Sequence, residues 1–89
     1  MSEELKRRIS EVLDLPKDIV LNLSRITMTG QLAVFIENHR GIVEYGPKAV
    51  RINTSTGVIA VKGEKLFIKS IIGDEITVEG QIKGVEFEE

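Results

Sequence analysis

The chain has 89 residues, 42 % of them apolar and 29 % charged, with no cysteine and a formal net charge of −2. That length suits one compact domain, and the balance lies well away from that of disordered chains. The missing cysteine excludes disulfides, thiolate metal ligation and thiol catalysis, and twelve basic against fourteen acidic residues oppose binding driven by duplex phosphates.

Leu5, Ile9, Val12 and Leu13 recur at helical spacing among charged neighbours, which predicts an amphipathic helix over residues 1–14. Ser2 is its N-cap, Glu3–Arg7 and Glu4–Arg8 have favourable i, i+4 polarity, and Pro16 pushes Leu15 out of the helical region. From residue 17 to 89 the period is two and the reading is a β-domain: Ile19, Leu21 and Leu23 alternate with polar or β-branched residues, then Ile26 and Met28 with Thr27 and Thr29. The run from Leu32 to Ile36 is apolar on both strand faces and is the expected centre of the core.

Further short strands are expected at 42–45, 49–53, 58–62, 66–70, 76–79 and 81–87, with glycines or Gly-Pro, Ser-Thr-Gly and Gly-Asp groups between them. The pattern Ile-x-Met/Val-x-Gly occurs at 26–30, 59–63 and 76–80 and reads as strands that each end at a glycine turn. The predicted fold is all-β, a small antiparallel β-sandwich or barrel-like domain with one N-terminal helix. No stretch approaches the ~18 consecutive apolar residues of a membrane span, so a cytoplasmic protein without membrane insertion of its own is expected.

The residues hold little catalytic material. His39 is the single histidine, with no nucleophile elbow or spaced ligand set around it, and the eight glycines are scattered rather than grouped as in a phosphate-binding loop. Catalytic residues, metal ligands and cofactors are accordingly assigned to none. The four aromatics, Phe35, Tyr45, Phe67 and Phe87, could form a stacking platform for single strands, but the basic residues are interleaved with acids. What remains is Glu37-Asn38-His39-Arg40-Gly41, a carboxylate, an amide, an imidazole and a guanidinium on an expected hairpin turn, with Gly41 at positive φ. On this reading His39 and Arg40 face water. A small-ligand site is the alternative, and it requires His39, Arg40 and Tyr45 to converge in a pocket.

Leu15-Pro16-Lys17-Asp18, Leu23-Ser24-Arg25-Ile26-Thr27 and above all Ile36-Glu37-Asn38-His39-Arg40-Gly41-Ile42 with Glu44-Tyr45 resemble the YabP/YqfC-like sporulation proteins of endospore-forming bacteria, the YqfC branch most closely. The later segments 50–54 and 68–80 follow the same template. The resemblance implies a β-sandwich-like domain made in the mother cell, a role in spore development or coat formation without catalytic activity, and a partner that is a sporulation membrane protein. It makes Glu37, Asn38, His39, Arg40, Tyr45 and Arg51 the candidate interaction surface. Self-association through an exposed strand or the helix stripe is also expected, since a short open sheet leaves edges.

Overall fold

The structure, a computed structural model, describes residues 22–88. The helix expected over residues 1–14 and the alternation at Ile19 and Leu21 lie outside them. Six strands follow: β1 (Arg25–Thr29), β2 (Ala33–Glu37), β3 (Ile42–Tyr45), β4 (Ala49–Thr54), β5 (Gly57–Ile72) and β6 (Glu75–Glu88). They form one open sheet, antiparallel throughout, in the order β1-β2-β6-β5-β4-β3. The sequence reading divided β5 and β6 into four short strands at Gly63 and Gly80. Each is instead one long strand.

The ribbon of β5 and β6 organises everything else. β2 pairs with β6 only over Glu75–Glu79, at one end, while β4 pairs with β5 only over 57–62, at the other. Along the ribbon the register shifts three times, at Lys62/Gly63, Glu64/Phe67 and Ile68/Ser70. Each shift adds bend and right-handed twist to a strand.

The connection from β2 to β3 shows how large the bend must be. The Glu37 row crosses β6 at Glu75 and reaches β5 at Ile72, whereas the Ile42 row crosses β4 at Ile52 and reaches β5 at Ile59. In a flat sheet these rows would lie roughly 40 Å apart along β5 at about 3.3 Å per residue. Residues 38–41 can span no more than about 18 Å. The ribbon is therefore folded, and Val34, Ile36, Ile76 and Val78 from one end join Val50, Ile52, Ile59 and Val61 from the other in a single core cluster.

All eight of these side chains are 0–2 % exposed, and burying a Val or Ile contributes about 1.5–3 kcal/mol. Buried and less buried positions alternate along β2 and β4, as a period of two requires, whereas Ile59, Ala60 and Val61 of β5 are buried in succession. The run from Leu32 to Ile36 is part of it as expected, with Val34 and Ile36 fully buried, Ala33 and Phe35 half-buried, and Leu32 exposed in the turn before β2.

Two glycines occupy the fold of the ribbon. A Cβ on Gly63 would collide with the Gln81 carbonyl oxygen of the facing strand and come within 3.1 Å of Leu66 Cδ2. At Gly80, with φ +138°, a Cβ would meet the Lys65 carbonyl oxygen at 2.6 Å. The missing side chains are what let the two backbones cross so closely.

Candidate interaction surface

The segment 38–41 is a strap rather than a hairpin turn, because β2 and β3 are not paired and lie four places apart in the sheet. Its consecutive amides bond to opposite ends of the folded ribbon: His39 N–H donates to the Asp74 carbonyl in the β5–β6 turn (3.1 Å), and Arg40 N–H to the Asn53 carbonyl in β4 (2.7 Å). Asn53 N–H donates in return to the Gly41 carbonyl (2.8 Å). The polar residues that looked like one short turn thus tie the two ends of the sheet together.

Their side chains follow from that task. Asn38 has φ +63°, a left-handed conformation that asparagine tolerates better than most residues. Its Nδ2 donates to the Leu23 carbonyl (3.1 Å) and to Asn22 Oδ1 (3.2 Å), while its carbonyl accepts from Ser24 Oγ (2.9 Å). It fixes the chain entering β1. His39 is half-buried, and its Nδ1 accepts from Gly41 N–H (3.0 Å). The neutral ring then carries its proton on Nε2, which is buried without a partner among the described residues. His39 therefore departs from the expectation that it faces water, because its ring is folded back over the strap.

Arg40 is exposed, as expected, and Glu37 is half-buried at the end of β2 between Arg25 and Glu75 in register. Gly41 has φ +117°, with nothing within 4 Å of the position a Cβ would take. Its need for glycine is thus one of backbone conformation alone. Gly41→Val is expected to cost on the order of 1–3 kcal/mol, measured as a shift of the urea midpoint at unchanged slope.

Arg51 is occupied within the domain. Its Nη1 donates to Glu44 Oε1 (2.7 Å), Nη2 to Glu88 Oε2 (3.2 Å), and Nε lies 3.2 Å from Glu88 Oε1 but misaligned for a hydrogen bond. The guanidinium spans β3, β4 and the end of β6. Lys62–Glu86, Lys69–Glu79 and Lys83–Glu64 are further ion pairs at 2.9, 3.3 and 4.0 Å. At this exposure such pairs contribute little stability, yet they offset the positive charge that a nucleic-acid groove would need.

Tyr45 lies opposite Val50, on β3, and is 59 % exposed. None of Tyr45, His39 and Arg40 lines the cavity at Leu23, Ile26 and Phe87 or the one at Gln31, Leu32 and Lys83. No group of three or more His, Asp or Glu side chains there could hold a metal ion, and no helix there is long and apolar enough to cross a membrane.

Two features were missed from the sequence. First, every residue of β3 is exposed, including Ile42 (38 %) and Val43 (59 %), and one edge of this apolar strand has no neighbouring strand among the described residues. The signal was present as Ile-Val-Glu-Tyr beside Gly46-Pro47, but an interior strand can have the same composition. Second, a cavity of about 360 Å³ opens where Leu23, Ser24 and Ile26 face Ile59 and Phe87, with Thr54 and Thr56 on its rim.

The chain is 36 % identical over 85 residues to "Uncharacterized protein YqfC" of Bacillus subtilis (strain 168), an alignment covering 96 % of this chain and 91 % of that protein. The model of the YabP family matches residues 21–89, which includes every described strand and the strap. The chain belongs to the YabP family.

Proposed function

We propose that this domain is a non-enzymatic protein-binding module of the mother cell, acting in spore development or coat formation by capturing an extended segment of a protein partner along the free edge of β3. The observation that carries the reading is the exposure of all four β3 residues, three of them apolar, on an edge strand. An edge strand offers main-chain donors and acceptors to any added strand, while alternate side-chain positions supply selectivity. Arg40, exposed and just before β3, adds a planar donor fork for a carboxylate of the partner. The sporulation setting, and a membrane protein of the mother cell as the partner, come from the resemblance carried by residues 36–45.

Val43→Lys tests the proposal, because a lysine on an edge opposes strand addition. The variant is expected to melt within about 0.5 kcal/mol of the parent, as surface changes do, and to lose both partner capture and efficient sporulation in the native host. Normal sporulation with a Val43→Lys chain of unchanged stability overturns the docking edge.

A further inference from the structure

Four cations of the described residues are already matched to carboxylates of the same domain: Arg51 to Glu44 and Glu88, Lys62 to Glu86, Lys69 to Glu79 and Lys83 to Glu64. Arg40, Lys48 and Lys65 are exposed and form no ion pair among the described residues. Their places coincide with the two ends of β3. Arg40 lies in the strap two residues before the strand, and Lys48 in the turn after it, which Gly46 N–H closes by donating to the Ala49 carbonyl (3.0 Å). The folded ribbon brings Lys65 beside Lys48, because Gly63 N–H donates to the Lys48 carbonyl (3.1 Å) and Leu66 N–H to the Pro47 carbonyl (2.8 Å).

Two exposed ammonium groups therefore share the hairpin end of β3, and like charges held together in this way attract an anion. Glu64, next to Lys65 in the chain, faces Lys83 instead. The strand itself presents no free carboxylate, since Glu44, its one acid, accepts from Arg51 Nη1 at 2.7 Å. Asp74, whose carbonyl accepts from His39 N–H, places an exposed acid near the strap end. The hairpin end is thus the more positive of the two. Between them Ile42, Val43 and Tyr45 supply apolar surface, and from Arg40 to Gly46 the chain spans at most about 22 Å, the length of about six residues of an added strand.

We propose that the segment captured on β3 is acidic: an extended strand with apolar side chains against Ile42, Val43 and Tyr45 and carboxylates at its ends, most of them at Lys48 and Lys65. This rests on the docking edge of β3 and adds the chemical class of its occupant. A peptide is favoured over an anionic lipid surface because the edge also offers main-chain donors and acceptors, which only another strand can match in series.

A library of short linear peptides, displayed on phage and selected on the immobilised full chain, tests the two levels separately. The enriched peptides should lose binding to the Val43→Lys chain and carry carboxylates, and as free peptides they should bind Lys48→Glu/Lys65→Glu about ten times more weakly than the parent. Neutral or basic peptides that still require Val43 would leave the edge standing and overturn the acidic class. Peptides that bind Val43→Lys as well as the parent, or no enrichment, would remove the edge and the class together. Co-sedimentation of the parent with phosphatidylglycerol vesicles, lost in Lys48→Glu/Lys65→Glu, would assign the cations to a membrane and also overturn the proposal. Should the double variant fail to fold, salt is read on the parent: peptide affinity should fall about threefold or more between about 50 and 300 mM sodium chloride, and unchanged affinity refutes the acidic class.

Discussion

Gly63→Ala should unfold the domain or come close to it, whereas Gly84→Ala, in the same sheet, should leave it intact. The two substitutions add the same methyl group to the same kind of residue. At Gly63 the new carbon would be driven into the Gln81 carbonyl oxygen and crowd Leu66, while at Gly84 nothing lies within 4 Å. Backbone cannot rotate away as a side chain can, so relief requires β5 and β6 to separate where the ribbon is folded. Overpacking of this kind costs about 3 kcal/mol or more, against a total stability of roughly 4–13 kcal/mol for a chain of this length. At Gly84 the change should fall within about 0.5 kcal/mol of zero, or stabilise slightly by restricting the unfolded chain. Urea titrations followed by circular dichroism measure both. A Gly63→Ala chain with the parent's midpoint would show that the ribbon does not cross as closely as described.

Asn38→Ala and Arg40→Ala should separate architecture from contact within the strap. Removing the Asn38 amide leaves the Leu23 carbonyl and Asn22 Oδ1 without that donor, and it places an alanine at φ +63°. Lost hydrogen bonds of about 1 kcal/mol each, together with left-handed strain of about 1 kcal/mol or more, add up to roughly 2–4 kcal/mol. Arg40 is exposed, and truncating it should change stability by about 0.5 kcal/mol or less. Arg40→Glu should be equally stable yet impair partner capture, because it removes the donor fork and reverses the charge. Equal melting of Asn38→Ala and the parent would show that the strap is not held by this amide.

The sequence disclosed the class of structure but not its path. Period-two patterning located β1, β2, β3 and β4 to within one or two residues, since alternation is a local property of a half-buried strand. It failed at Gly63 and Gly80 because a glycine at a turn and a glycine at a close crossing have the same local signature. Only the facing strand distinguishes them, and Gln81 and Lys65 are 18 and 15 residues away, respectively.

The same limit governed the site. Asn38 and Gly41 were legible as turn residues, with positive φ expected at Gly41, and both have positive φ. That the segment crosses the sheet instead of reversing beside β2 depends on Asp74 and Asn53, which no local pattern connects to it. Arg51 was placed in the candidate interaction surface, and its partners are Glu44 on the neighbouring β3 and Glu88, distant in sequence at the end of β6.

The place of β2 in the sheet sets a constraint on synthesis. Beyond the short β1, its pairing partner is Glu75–Glu79 of β6, which leaves the ribosome 38 residues after Glu37 does. At 5–20 residues per second this delay is roughly 2–8 s. Throughout it, Ala-Val-Phe-Ile-Glu has one edge and an apolar face with no permanent neighbour. β4 and β5 can pair as soon as they emerge, but β2 must wait for β6. The domain cannot mature progressively from its amino end; a nascent or truncated chain ending before residue 75 would display an apolar strand with an unpaired edge, and closure occurs only once residues 75–79 have emerged.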